Sequence, residues 1–281
     1  MPALPEPYAA HLPPLLAAAF AEDLPDLTGE AVFGPEDRAS AYLLVKKPGV
    51  LCGMPAFAAA FSFLDQRCVV DVARGDGDAV GAGETAARVS GPTRAIVAAE
   101  RTALNFVTRL SGVATLTRRF VDAVAGTTCR VLDTRKTTPG WRALEKHAVR
   151  CGGGTNHRMG LFDAAMLKDT HLAAAGSLSA AVAKVRAAWG EAIPLVVECT
   201  TIAMVEEALN CAVRHIMLDN MDPNTIRAAV AVVAGRARLE VSGGVTLDGA
   251  AALAGTGVDF ISVGALTHSA PALDLSLEVR R

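Results

Sequence analysis

The feature that most constrains this sequence is a repeated alternation of short aliphatic runs and helical segments after residue 130. The predicted strands are residues 130–133, 165–168, 194–198, 215–219, 238–242 and 259–264. Each run ends in a polar residue or glycine, and the later units repeat about every 20 to 25 residues, the length of a compact β/α step. This pattern predicts a barrel-like parallel sheet whose C-terminal rim carries the functional site.

The segments between these strands contain signals for helix ends. Ser177 can cap a helix that Gly190 ends, and Asp222 precedes Pro223 at a second helix start. Thr246 can cap a third helix. These residue types are typical of helix boundaries, so helices are expected between the strands.

The first part of the chain follows a different pattern. Strands are predicted at residues 41–46, 68–72 and 86–89, and helices at residues 55–64 and from Ile96 to near Gly112. We therefore expect an α+β domain over residues 1–112 and a β/α barrel domain over residues 113–272. Residues 273–281 can return to the first domain, which the sequence leaves open.

Composition excludes several classes of partner. The chain has 27 Lys and Arg against 29 Asp and Glu, so no global positive field attracts nucleic acid or an anionic membrane. Neither a signal peptide nor a membrane span is expected, because the N-terminal apolar patch lacks a basic flank and residues 50–64 are too few. The six cysteines form no C-x-x-C pair, which favours reduced, buried thiols in a cytoplasmic protein over a structural zinc site.

Positive charge is concentrated between residues 130 and 170. This segment has eight Lys or Arg and four Asp or Glu, an excess that attracts small anionic substrates. Arg142, Lys146 and Arg150 are spaced four apart and are expected on the solvated face of a helix. Arg135 and Lys136 follow a strand end, so they are expected at the rim, facing a ligand.

A second polar motif runs from Gly152 to Arg158. Its three consecutive glycines suit either a close backbone approach to a ligand or a plain linker. Arg158 can bind a carboxylate through two parallel hydrogen bonds, and His157 can donate one hydrogen bond to the same kind of group. Lys168 ends an apolar strand and is expected to be an anion ligand or an amine nucleophile.

Acidic and glycine-containing strand ends complete the predicted site. Glu198 and Asp219 end successive strands, which favours binding of hydroxyl groups or a metal ion at one rim. The last two strands end in turns with backbone N–H groups suited to a phosphate: Ser242, Gly243, Gly244, Ser262, Val263 and Gly264. The sequence thus predicts a phosphate pocket, two acids for a sugar or metal, and a cationic pocket for carboxylates.

These motifs resemble the signature blocks of the quinolinate phosphoribosyltransferase family. The matching segments are residues 47–51, 100–105, 111–112, 133–140, 152–158 with 160–161, 167–171, 217–220 and 240–245. The resemblance covers nearly the whole chain. It departs at Thr170, where the family commonly has Asn, and at Val196, where the family has an acid; neither change removes a cation from the carboxylate pocket.

The resemblance implies an α/β protein with an N-terminal α/β sandwich domain and an open β/α barrel of the type II phosphoribosyltransferase kind. It implies an obligate homodimer, with a hexamer left open. The implied reaction transfers phosphoribosyl from phosphoribosyl pyrophosphate to quinolinate with decarboxylation and uses Mg²⁺. Its products are nicotinate mononucleotide, pyrophosphate and CO₂, in de novo NAD biosynthesis.

The resemblance also implies a role for each site residue. The expected quinolinate ligands are Arg101, donated across the dimer interface, and Arg135, His157, Arg158 and Lys168. The expected catalytic residues are Lys136, Lys168, Glu198 and Asp219, with Lys136 and Lys168 reaching both substrates. Glu198 and Asp219 would hold the ribose hydroxyls and Mg²⁺, mainly through substrate and water, while the two Ser/Gly turns would hold the 5′-phosphate.

Three other functions remain open at this point. A barrel aldolase or phosphosugar lyase would use Lys168 as a Schiff-base amine, but it leaves the arginines without a purpose. A divergent homologue associated with molybdate uptake shares the scaffold. A paralogue could act on nicotinate, which lacks the 2-carboxylate and should bind more weakly to a site built for two carboxylates.

Overall fold

The computed structural model describes residues 6–280. Residues 1–5, at the start of the first predicted domain, and residue 281, at the end of the segment predicted to return to it, lie outside the described residues. The elements of the first part of the chain are α1 (Tyr8–Asp23), α2 (Leu27–Val32), β1 (Arg38–Val45), β2 (Gly49–Val50), α3 (Met54–Leu64), β3 (Val69–Val72), β4 (Ala79–Val80), β5 (Thr85–Pro92) and α4 (Thr93–Ala123).

The rest of the chain alternates strands and helices. In order these are β6 (Arg130–Leu132), α5 (Arg142–Cys151), β7 (Ala165–Leu167), α6 (Asp169–Ala175), α7 (Leu178–Trp189), β8 (Leu195–Cys199), α8 (Ile202–Asn210), β9 (His215–Asp219), α9 (Pro223–Val233), β10 (Arg238–Ser242), α10 (Leu247–Ala254), β11 (Phe260–Ser262), α11 (Ala265–His268) and β12 (Leu275–Arg280).

The chain forms two compact units. The first contains residues 1–118, 137–153 and 266–281, and the second contains residues 119–136 and 154–265. These limits differ from the predicted domain limits of 1–112 and 113–272, because α5 joins the first unit and α4 extends into both. The division of the chain into functional domains stays a prediction.

The first unit is built on an antiparallel sheet with strand order β12-β1-β5-β3. Ala41 of β1 lies opposite Val89 on one side and Val279 on the other, so the C-terminal strand completes the sheet. Alternate residues of β1 are buried, the period of a strand with one face against a core. The helix α1 packs against α3 and α5, and a stripe of its side chains spaced four apart is buried as well: Tyr8, Leu12, Leu16 and Phe20.

The predicted end of α4 near Gly112 is wrong, since the helix continues to Ala123. A Cβ at Gly112 would lie 2.1 Å from the carbonyl oxygen of Pro271. The glycine therefore allows close packing of the chain against the helix; it does not end the helix.

The predicted solvated face of α5 is also wrong at one position. Arg150 is exposed and Arg142 is half-buried, but Lys146 is fully buried. The neighbouring Glu145 is fully buried as well, and its Oε1 accepts a hydrogen bond of 2.8 Å from Arg109 Nη2. A four-residue spacing of charges does not identify a solvated face when tertiary packing covers the helix.

The second unit contains a six-stranded sheet in the order β6-β11-β10-β9-β8-β7. All five of its strand pairs are parallel, which confirms the predicted α/β class and open β/α architecture. β6 and β7 form the two edges, and no ladder joins them in the described part of the chain. The strands are aliphatic because helices and side chains cover both faces of such a sheet.

The predicted helix caps of the second unit are confirmed. Ser177 accepts a hydrogen bond from the backbone of Ala180, and Thr246 accepts one from Gly249. Asp222 caps α9. Among residues 6–280, no helix has both the length and the apolar character that a bilayer crossing requires.

Candidate functional site

A cavity of about 520 Å³ lies within the second unit at the carboxyl ends of its parallel strands, where ligands of β/α proteins bind. It brings together most of the residues predicted from the sequence: Arg135, Lys136, His157, Arg158, Lys168, Glu198, Asp219, Ser242, Gly243, Gly244 and Ser262. Arg101 belongs to the first unit, where it lies exposed on α4.

Strand order determines the sequence of groups around the cavity. Arg135 and Lys136 follow the edge strand β6, and Lys168 follows the other edge strand, β7. Moving across the sheet from β6, the next two strands are β11 and β10, which end in the Ser/Gly turns. They are followed by β9 and β8, which carry the two acids, and then by β7. The phosphate-type turns thus lie between a cationic edge and two carboxylates.

Two guanidinium groups share this cavity. Arg158 Nη1 donates a hydrogen bond of 2.8 Å to the carbonyl oxygen of Ala164, which fixes the side chain. Burial and the like charge of Arg135 lower the pKa of Arg158, with Asp163 opposing the shift. Two cations that repel each other in one partly buried cavity favour a ligand with more than one negative charge.

His157 is held from both sides. Its Nδ1 accepts a hydrogen bond of 2.6 Å from the backbone N–H of Arg158, so Nε2 carries the ring proton. Nε2 lies 3.3 Å from Oε2 of Glu240. The ring lines the cavity, but this proton faces a carboxylate of the protein.

Glu240 is a buried carboxylate that the sequence analysis did not select as a site residue. It is fully buried, contacts His215 Nε2 at 2.8 Å, and accepts a hydrogen bond from Ser262 Oγ. Burial raises the pKa of Glu240, but the imidazoles of His157 and His215 that face it outweigh burial and lower the pKa to about 2. The signal was available, because Glu240 interrupts an aliphatic strand as Glu198 does.

Asp133 anchors the same region from β6. It is fully buried and accepts hydrogen bonds from the backbone N–H of His157 at 2.8 Å and from Asn156 Nδ2 at 2.5 Å. These contacts tie the Asn-His-Arg segment to the strand end that precedes Arg135.

The two predicted acids are oriented by neighbouring side chains. Lys168 Nζ donates to Glu198 Oε2. Asp219 accepts hydrogen bonds from Ser242 Oγ at 3.1 Å and from Asn220 Nδ2 at 2.7 Å. Both carboxylates line the cavity, so their remaining lone pairs can meet hydroxyl groups or a hard cation.

Gly243 is required by the turn after β10. Its φ is +93°, and a Cβ there would lie 2.2 Å from Asn220 Oδ1. Any side chain would therefore displace the residue that orients Asp219.

The second predicted phosphate turn differs from the first. Ser262 lines the cavity, whereas Val263 and Gly264 are not among its lining residues in the described chain. Val263 is buried, and its N–H donates to the carbonyl oxygen of Leu132 at 2.9 Å, so this N–H is already used within the sheet. The predicted phosphate contact at Val263 therefore lacks a donor.

The glycine triplet also has a packing role. A Cβ at Gly152 would lie 2.4 Å from the carbonyl oxygen of Ala114 in α4, and Gly153 has φ of +89° beside Arg118. Residues 152–154 are absent from the cavity lining as described. The glycines allow close packing of the first unit, and the ligand-facing part of this motif begins at His157.

Family models match almost the entire chain. The model described as quinolinate phosphoribosyl transferase, N-terminal domain, matches residues 26–111, and the C-terminal domain model matches residues 113–278. Nicotinate-nucleotide pyrophosphorylase (carboxylating) of Mycobacterium leprae is 41% identical over 262 residues, covering 90% of this chain and 91% of that protein. Quinolinate phosphoribosyltransferase (decarboxylating) 1b of Nicotiana tabacum is 40% identical, covering 92% and 79%.

A solved structure has the same fold throughout. NadC from Streptococcus pyogenes superposes with a TM-score of 0.92 at 39% sequence identity, and the match covers 95% of each chain.

Proposed function

The chain belongs to the quinolinate phosphoribosyltransferase family, and we propose that the cavity of its second unit is where it carries out the reaction of that family. The enzyme transfers phosphoribosyl from phosphoribosyl pyrophosphate to quinolinate with decarboxylation, in de novo NAD biosynthesis. The predicted family, fold class and enzyme class are confirmed. The residue roles, the metal and the assembly that follow are our proposals.

The observation that carries the assignment of residues is the pair of guanidinium groups in one cavity. Quinolinate has two adjacent carboxylates, and Arg135 and Arg158 can each bind one through parallel hydrogen bonds. Binding the dianion relieves the repulsion that lowers the pKa of Arg158. His157, fixed by Glu240, supports the position of the neighbouring Arg158.

Displacement of pyrophosphate builds positive charge on the ribose ring. Glu198 and Asp219, which line the cavity, would accept hydrogen bonds from the ribose hydroxyls and stabilise this oxocarbenium-like charge. Lys168, paired with Glu198, lies at the border between acids and cations and can reach both substrates. The pyridine nitrogen of quinolinate then forms the bond to C1 of the ribose as the bond to pyrophosphate breaks.

The phosphate-type turns hold the other end of the sugar. Gly243 and Gly244 would bind the 5′-phosphate through their backbone N–H groups, while Ser242 and Ser262, whose hydroxyls donate to Asp219 and Glu240, would line the phosphate pocket. Lys136, exposed at the cationic edge, would bind the departing pyrophosphate. Orientation of both substrates by fixed groups supplies much of the rate enhancement.

Two carboxylate groups beside a phosphate site fit Mg²⁺, which prefers hard oxygen ligands and keeps part of its water shell. Glu198 and Asp219 would hold it together with substrate phosphates. When bound, the ion supplies charge neutralisation on the pyrophosphate leaving group.

Decarboxylation follows from the product of the transfer. The positive charge of the alkylated ring nitrogen stabilises the electron pair that stays on C2 when the bond to the carboxylate breaks and CO₂ leaves, and this pair then takes up a proton. The protein holds the ring in place during this step through the carboxylate at position 3.

We also propose that the protein acts as a cytoplasmic homodimer in which Arg101 reaches the site of the partner subunit. Its support is the exposed position of Arg101 on α4 and the resemblance of residues 100–105 to the family motif. A hexamer built from such dimers is compatible with the same proposal.

Complementation tests the donated arginine. Heterodimers formed from inactive Arg101→Ala and Lys168→Ala chains should regain activity, because one of their two sites then has both intact residues. Arg119→Ala in place of Arg101→Ala gives a control for general effects on α4. Mixed dimers without any recovered activity would reject the proposal.

A Schiff-base trap separates this function from the aldolase alternative. The amino group of Lys168 is already engaged as a donor to Glu198 and is not presented as a free nucleophile. Borohydride in the presence of a phosphosugar aldehyde or ketone, the substrate class of such an aldolase, should therefore give no covalent adduct at Lys168. Product formation from quinolinate and phosphoribosyl pyrophosphate, with nicotinate as the control substrate, is the direct test of the proposed function.

A further inference from the structure

A cluster of four side chains with metal-binding atoms lies in the first unit. Its members are Cys52, before α3; Asp76, in the turn between β3 and β4; and His147 and Cys151, one turn apart on α5. One donor atom from each lies within 4.8 Å of the other three. None of these residues has a role in the proposed phosphoribosyl transfer.

The distances match the edges of a tetrahedron around a zinc ion. Bonds of about 2.3 Å to sulfur and about 2.0 Å to nitrogen or oxygen give edges of about 3.3 to 3.8 Å. In the structure, Cys52 Sγ lies 3.7 Å from Asp76 Oδ2, and Cys151 Sγ lies 3.4 Å from His147 Nε2. His147 Nε2 and Asp76 Oδ2 are 3.0 Å apart. The four donors therefore need only small movements to coordinate one ion.

The carboxylate is held in a fixed orientation. Asp76 Oδ1 accepts hydrogen bonds from the backbone N–H groups of Gly53 and Met54 at 2.8 and 2.9 Å. Oδ2, the oxygen that faces the sulfur and nitrogen atoms, also accepts a hydrogen bond of 2.7 Å from Tyr8 OH. Outer hydrogen bonds of this kind orient ligands in metal sites.

One side of the cluster is partly exposed to solvent, which gives an entering ion access to the four donor atoms. Cys52 and Tyr8 are fully buried, whereas the side chains of His147 and Asp76 keep 19% and 13% of their surface exposed. The helical spacing of His147 and Cys151 places both side chains on the same face of α5.

We propose that Cys52, Asp76, His147 and Cys151 bind one zinc ion, which ties α5 to the turns around α3 in the first unit. Two thiolates and an imidazole select a borderline-soft cation such as Zn²⁺ over Mg²⁺. Four protein ligands leave no open position for substrate, so the site is structural. The sequence analysis did not expect such a site, because its ligands are separated by up to 99 positions, from Cys52 to Cys151.

The first experiment measures metal content by mass spectrometry on the full-length protein, purified with a reductant and dialysed against metal-free buffer. Wild type should retain about one zinc per chain, and Cys52→Ser and Cys151→Ser should lose it. Cys211→Ser changes a cysteine outside the cluster and should retain zinc. Circular dichroism establishes that the variants are folded.

The second experiment replaces zinc with Co²⁺ in the chelator-treated protein. Wild type should develop the intense visible bands of tetrahedral Co²⁺ and a thiolate charge-transfer band, and each cysteine variant should lose part of the latter. Tyr8→Phe keeps all four ligands but removes the hydrogen bond to Asp76, so it should weaken Zn²⁺ binding about 10- to 100-fold.

Three results would overturn the proposal. A reduced, folded wild type that binds neither ion shows that the cluster is not a metal site. Zinc retained equally by Cys52→Ser and Cys151→Ser places the ion elsewhere. A disulfide between Cys52 and Cys151 in protein purified with zinc and without reductant shows that these thiols pair with each other.

Discussion

Replacement of Arg158 by Gln should separate substrate binding from stability. The side chain is fixed by its hydrogen bond to Ala164, and its charge is disfavoured by burial and by Arg135. Removing one partner of a desolvated, hydrogen-bonded charge pair costs about 2–5 kcal/mol of binding free energy. Since about 1.4 kcal/mol is a factor of ten, kcat/KM for quinolinate should fall roughly 30- to 5000-fold.

The same substitution should not lower the stability of the free protein. It removes one of two like charges, which offsets the lost hydrogen bond to the Ala164 carbonyl, so the melting temperature should change little. Steady-state kinetics with saturating phosphoribosyl pyrophosphate, combined with thermal unfolding, measures both effects. Arg227→Gln, on an exposed face of α9, is the matched control and should change neither quantity appreciably.

Two outcomes would refute this account of Arg158. Near-normal kcat/KM would show that the guanidinium does not bind a substrate carboxylate. A fall in kcat/KM accompanied by an equal loss of folded protein would show that Arg158 has a structural role.

Two further predictions concern the architecture of the site. Gly243→Ala should reduce kcat/KM and lower the free energy of unfolding by about 1–3 kcal/mol, because it combines a strained backbone with a clash against Asn220. The control Gly235→Ala has a positive φ but open space around the new Cβ, so it should lower only the free energy of unfolding. Equal losses of kcat/KM in the two variants would contradict the role of the clash. Glu240, whose pKa falls from 4.5 to about 2 on folding, should contribute about 3 kcal/mol of stability above pH 4.5 that disappears as the pH falls towards 2. Urea unfolding across this range should therefore show a steeper loss for wild type than for Glu240→Gln, and parallel pH profiles would exclude the buried carboxylate as the cause.

Strand ends were the most predictable part of the molecule. The limits of β9 and β10 agree with the sequence prediction, and Glu198 and Asp219 do line one cavity with Lys168. A parallel strand places its last polar residue at the carboxyl edge of the sheet, so local sequence is sufficient to locate it.

The sequence prediction was wrong where tertiary packing determines the role of a residue. Gly112 is a residue type typical of a helix end, and Gly152 belongs to a glycine run typical of a flexible linker. Both glycines instead allow another backbone segment to approach α4 closely. Lys146 has the spacing of a solvated charge but is fully buried. No local pattern records which face of a helix the rest of the chain will cover.

Long-range pairs were equally invisible in the sequence. The interruption of an aliphatic strand by Glu240 is visible in the sequence, but its two histidine partners are not, because they come from distant segments, one of them at the start of β9. The same reason hid the cluster around Cys52 and Cys151, whose ligands come from three separate segments of the first unit.

The most direct test of the central claim uses quinolinate labelled with ¹³C in its 2-carboxylate. With phosphoribosyl pyrophosphate and Mg²⁺, purified enzyme should release labelled CO₂, nicotinate mononucleotide and pyrophosphate in equal amounts, and nicotinate should give little product. Nicotinate mononucleotide formed as readily from nicotinate, or folded enzyme that releases no labelled CO₂, would contradict the account.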